Sequence, residues 1–164
     1  MSSAFSNNPI YDANKERGRL FLVMYRELVK RYGQEEAVSV MRSASYEFGR
    51  GIGNSLACFA PCDFKGLVEA YALAPDDGAT YSPDIRQLDE DGFEVQMMTC
   101  PIKDAWTDAG LSDEEICDLL RCAAPQDEAT WEAAGFDYEI TMWAPGREGC
   151  CHSKITRKSS STER

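Results

Sequence analysis

FEVQMMTCPIKDAW, residues 93–106, decides the fold. Phe93, Val95 and Met97 alternate with Glu94, Gln96 and Met98, the period of a half-buried strand. The alternation gives out before Cys100, and Pro101 follows at once. Proline suits the first position of a helix, where its fixed φ is already right and its missing N–H is not needed. Ile102, Ala105, Trp106 and Ala109 then recur at helical spacing until Gly110. A thiol is thereby placed at a strand-to-helix junction.

Working outward, Ile85–Leu88 and the turn Asp89-Glu90-Asp91-Gly92 complete a hairpin with this strand. Downstream, Ser112 and Glu115 form a capping box that opens a helix with Ile116, Leu119 and Leu120 inward, carrying Cys117 and Cys122. Pro125 interrupts it, and residues 127–134 read as one more helical piece. Phe136, Tyr138, Ile140 and Met142 alternate strictly; residues 145–149 turn, and residues 150–156 return as the last strand. Upstream, a helix from Asn14 shows Phe21, Tyr25, Leu28 and Tyr32 and is closed by Gly33. A second, from Gln34, has Ala37, Val40, Met41, Ala44, Phe48 and Ile52 on one face, so the two form an antiparallel pair. Phe64, Leu67, Val68 and Tyr71 mark a short helix before a Pro-, Asp- and Gly-rich loop. The expected fold is α+β: an antiparallel sheet of two hairpins packed with an N-terminal helical pair and several short helices. Residues 13–157 form one domain, with a flexible segment 1–12 and a disordered tail 158–164.

The chain has 164 residues, 43% of them hydrophobic, enough for one sizeable core. Its net charge of −11 argues against a nucleic-acid partner, which needs a concentrated basic surface. The longest wholly apolar run, residues 20–25, is far short of the roughly 20 residues of a membrane span. The opening MSSAFSNNPIYDANKERG lacks the apolar core of a secretory leader, and a cytoplasmic location is expected. A homo-oligomer is compatible with all of this. Seven cysteines, an odd number in a reducing compartment, point to free thiols rather than a disulfide framework.

Cys100 is the sharpest candidate for chemistry. Its sulfur would lie near the unpaired amides and positive end of the Pro101 helix, which favours thiolate over thiol. The plain alternative is a buried cysteine that only packs. Cys150 and His152, two apart in the expected strand, would share a face with Cys151 opposite, so thiol and imidazole could act as nucleophile and base. Asp127, after Pro125, either caps the next helix or faces a ligand. Cys100, Cys122, Cys150 and His152 together would make an acceptable tetrahedral zinc set, which defines a binding or sensing alternative. A third reading is an accessory protein whose acidic surface docks a basic partner. Cys58 and Cys62 lack the further ligands of a zinc site, and residues 49–53 (GRGIG) close a helix or pack against one rather than open a phosphate loop.

The succession MTCPIKDAWTDAGLSDEEICDLLRCAAPQD, an aromatic-rich strand and TMWAPGREGCCHSKI, with RYGQEEAVSVMRSASYEFGRGIG upstream, resembles the L-2-amino-thiazoline-4-carboxylic acid hydrolase family over roughly residues 20–156. By position the resemblance places the family's central cysteine on Cys100, its cysteine–aspartate element on Cys122 and Asp127, and its terminal glycine–cysteine element on Gly146 and Cys150. It implies a hydrolase opening a small cyclic amidine such as a 2-aminothiazoline at a C–N or C–S bond. Cys100 is then the expected nucleophile and Cys150 the alternative. Asp127 and His152 serve as acid–base or orienting groups, and Cys122, Trp106 and Gly146 as substrate-binding residues. The partner is a small heterocyclic substrate, and neither a cofactor nor a metal is expected.

Overall fold

Asn8 opens the first helix by accepting the Ile10 and Tyr11 amides on its side chain, with Pro9 at the first helical position. Helix α1 therefore spans Pro9–Tyr32, beginning inside the segment read as flexible. The computed structural model describes residues 7–159. The remaining parts of the expected loose ends, 1–6 and 160–164, lie outside the described residues. At the other end, the amide and hydroxyl of Ser159 both donate to Asp137 (2.9 and 2.6 Å).

Gly33, at φ 85°, turns the chain into α2 (Gln34–Leu56). This helix does not stop at the glycines 49–53. It runs through them, because Gly49 and Gly53 let another helix come close. A Cβ on Gly49 would lie 2.0 Å from the Gln126 carbonyl oxygen, and one on Gly53 2.2 Å from that of Thr130. The buried stripe is Ala37, Met41, Ser45, Gly49, Gly53 and Leu56; Val40 and Phe48, expected inside, are exposed. At the closest approach to α6 it is glycines, not large residues, that make the contact.

A short α3 (Phe64–Leu67) widens into a π-helical turn, Val68–Leu73, that carries Tyr71. Strands β1 (Pro83–Leu88) and β2 (Gly92–Met97) form the first hairpin. Helices α4 (Pro101–Asp108), α5 (Asp113–Ala123, opened by the Ser112–Glu115 capping box) and α6 (Pro125–Ala134) follow. Strands β3 (Phe136–Thr141) and β4 (His152–Arg157) complete an antiparallel sheet ordered β1-β2-β4-β3. The α+β expectation and its two hairpins stand.

Apolar burial divides into two clusters. Phe93, Val95 and Ile155 of the sheet pack with Trp131, Phe64 and Leu67. Trp106 packs with Leu22, Ile116 and Leu119. Helix α4 leaves β2 for the second cluster, while α6 returns from it to the first. No helix of the described residues is long and apolar enough to cross a membrane.

Candidate active site

The end of β2 is held from both sides. The Met98 amide donates to the Ser82 carbonyl (3.3 Å), and the Thr99 amide to that of Tyr81 (3.1 Å). Opposite, the Cys150 amide donates to the Met97 carbonyl (2.7 Å), and the Met97 amide to that of Cys151 (2.9 Å). Cys100 thus leaves the sheet with Tyr81 on one flank and Cys150–Cys151 on the other. Pro101 starts α4 there, as the strand-to-helix reading required.

The Cys150 thiol hydrogen-bonds to Cys100, and its sulfur lies 3.6 Å from Cys151 Sγ. That donation holds Cys100 below the usual thiol range, and against the penalty of burial the Lys103 and Ile102 amides act the same way. The sulfur is not in strict capping geometry, so the helix end acts on it mainly as a field. Cys151 is also held low by Cys150, but the single S–H of Cys150 serves one neighbour at a time, so Cys100 and Cys151 compete for it. Cys150 itself is pushed far up, so the middle thiol of the three keeps its proton.

Asp127 does not cap α6; Ala124 occupies that position and no side chain caps the helix. Its carboxyl instead belongs to a cluster with Tyr71, Tyr81, Tyr138 and Cys151, all within electrostatic reach of it. Burial pushes the carboxyl up to about 6, while the Arg17 guanidinium pulls the other way. Burial also raises the three phenols, Tyr81 to about 12, and the Asp127 charge adds to each. They remain O–H donors at any ordinary pH. Tyr81 donates to Asn14 Oδ1 (3.2 Å). Among the described residues the buried Tyr138 hydroxyl makes no hydrogen bond of good geometry, although the Ser153 side chain acts on it. Tyr81 and Cys151 each sense both Cys100 and Asp127, which ties thiols and carboxyl into one site.

Among the sequence-predicted residues, then, Cys100 and Cys150 come together, and Asp127 shares the neighbour Tyr81 with both. His152 does not. Gly149, at φ 61°, turns the chain just before Cys150, and β4 begins only at His152, so Cys150 and His152 do not share a strand face. His152 Nε2 lies 3.5 Å from Glu94, which also pairs with Lys154, whereas Val95, Ser153 and Ile155 are buried on the other face.

Trp106, expected at the substrate, is fully buried, with its indole N–H on the Gly18 carbonyl at 2.8 Å. Cys122 is buried near Tyr25, its thiol pushed up by desolvation. Gly146 sits at φ 81° in an exposed turn. The zinc set is therefore dispersed. Among the described residues no group of three or more His, Cys, Asp or Glu side chains could hold a metal ion.

Tyr71, Tyr81, Cys151 and Arg17 went unnoticed as site residues. Only Cys151, beside Cys150, carried a local signal; the others reach the site from separate elements. An open groove lined by Cys117, Leu120, Arg121, Met142, Trp143 and Arg147 lies beside α5 and includes none of the cluster.

Residues 13–145 match a family described as L-2-amino-thiazoline-4-carboxylic acid hydrolase. The match takes in Cys100, Cys122 and Asp127 and ends before Gly146 and Cys150. No curated protein and no solved structure matches the chain.

Proposed function

This chain belongs to the L-2-amino-thiazoline-4-carboxylic acid hydrolase family, and on that premise we propose that it opens a 2-aminothiazoline carboxylate by thiol catalysis, with Cys100 as nucleophile and Asp127 as proton carrier. One arrangement supports this above all. Cys100 leaves β2 between Tyr81 and the Cys150–Cys151 pair, and Tyr81 and Cys151 both also feel the Asp127 carboxyl.

The ring carbon between nitrogen and sulfur is electrophilic, most so when the amidine is protonated. The Cys100 thiolate adds to it, forming a C–S bond. The Asp127 carboxylate takes a proton from the exocyclic amino group and returns it to the departing ring atom as the ring C–N or C–S bond breaks. Water then adds to the same carbon, passing its proton through Asp127. Expulsion of Cys100 as thiolate leaves a carbamoyl-cysteine; one water is consumed, and the exocyclic nitrogen is kept as the carbamoyl NH2. The protonated Cys150 supports the leaving thiolate, and the Tyr71 and Tyr138 hydroxyls offer donors around the adduct. His152 has no part in this scheme.

The test is ring opening followed by loss of substrate absorbance. Turnover by the unmodified chain that disappears in Cys100→Ser supports the reading, and full activity in that variant overturns the thiol mechanism.

A further inference from the structure

The site described so far accounts for an amidine, through a thiolate and a carboxylate, but not for the acid group in the family's name. The negative charge of Asp127 and the thiolate would repel that group, so a cation is needed to hold it. Lys103, next to the thiol helix, is already committed: its ammonium lies 3.3 Å from Asp104 and 5.2 Å from the Trp143 ring.

Arg17 is differently placed. Its neighbour Gly18 is pressed against α4, where a Cβ would come within 2.9 Å of the Ile102 Cα, two residues beyond Cys100. Its guanidinium lies 5.8 Å from the centre of the Phe48 ring. Phe48 in turn precedes Gly49, which is pressed on Gln126, the residue before Asp127. The chain neighbours of Arg17 and Phe48, Gly18 and Gly49, thus press on the first turns of the two helices that carry Cys100 and Asp127, with the Arg17–Phe48 stack between them in the sequence of contacts. The Arg17 charge acts on Asp127, Tyr71 and Tyr81 alike. Among the described residues its side chain is exposed and its ring contact is with Phe48. An arginine stacked on an aromatic face keeps its planar donor edge free for a carboxylate.

We propose that Arg17, resting on Phe48, anchors the substrate carboxylate and so turns the amidine carbon toward Cys100 and the ring nitrogens toward Asp127. The assignment builds on the hydrolase reading above and names a specificity-determining residue for it.

The experiment uses two ligands, 2-amino-2-thiazoline-4-carboxylate and 2-amino-2-thiazoline, which lacks the acid. Calorimetric binding is measured in a Cys100→Ser background, with and without Arg17→Gln and Arg17→Lys; turnover is measured with Cys100 intact. Arg17→Gln is expected to weaken the acid by about 30- to 100-fold and the acid-free ligand by less than about twofold. Arg17→Lys restores part of the loss. In turnover the larger part of the loss falls on KM for the acid, and the acid-free ligand keeps its KM. Equal losses for both ligands, no loss for the acid, or binding of neither ligand would overturn the assignment. Acid-selective binding without ring opening by the unmodified chain sinks the hydrolase reading and leaves Arg17 as the anchor. Ring opening with no discrimination by Arg17→Gln does the reverse.

Discussion

Cys150 sets its thiol against Cys100, and of the two it is Cys150 that is held protonated while Cys100 is held low. Removing the donor should therefore raise the Cys100 titration. In Cys150→Ala, the pH at which iodoacetamide alkylates Cys100, read by peptide mass spectrometry, is expected to move up, with turnover at neutral pH down roughly tenfold. Cys100→Ser should cost on the order of a thousandfold or more, since no thiolate then remains at the helix end.

Asp127 titrates at about 6 in the folded chain, up from 3.8, because burial penalises its charge. Between these values the folded chain holds a proton that the unfolded chain has lost, so native stability falls as pH rises through that window and stays lowered above it. Asp127→Asn should consequently be more stable than the parent at pH 7.5, by about 2 kcal/mol after allowing for partial solvent access. The gain should shrink toward zero near pH 4. Urea unfolding of both proteins across this range checks it, together with a loss of turnover in the variant.

The same titration sets an activity limb. The carboxylate form of Asp127 moves the protons, so kcat/KM should fall as pH drops through about 6. Arg17 holds that titration down, and in Arg17→Gln the limb should shift to higher pH. A profile flat between pH 5 and 7.5 would exclude Asp127 from the rate-limiting proton transfers.

His152 faces Glu94 and Lys154 on the sheet surface away from the thiols. His152→Asn should leave kcat and kcat/KM within about twofold of the parent, while a loss beyond tenfold would bring the imidazole back into the mechanism.

Gly49 touches Gln126 so closely that a methyl group there would collide with backbone, not with a side chain that could move aside. Gly49→Ala should cost about 3 kcal/mol in chemical denaturation. It should also depress turnover in the folded fraction, because the displaced first turn of α6 carries Asp127.

Local chemistry along the chain was enough for much of the architecture. Alternation from Phe93 to Met97, Pro101 after Cys100 and the Ser112–Glu115 box each act within a few residues, and each produced the element expected. Cys100 was legible as a thiol at a helix start for the same reason, and Asp127 as a carboxylate in a sharp turn. What depends on which surfaces meet was not legible. Trp106 and Cys122 read like ligand contacts but sit in packed interior, because α4 and α5 turn those faces toward α1. The glycines of α2 read as either a helix end or a helix contact, and the choice waited on their close contacts with α6, more than 70 residues away. The turn at Gly149 decided that Cys150, with Cys151 beside it, reaches Cys100 while His152 turns to Glu94. Tyr71, Tyr81 and Arg17 join the site from a π-helical turn, a loop and a helix whose sequences carry no shared pattern. Their meeting follows from long-range packing alone, which short-range periodicity does not encode.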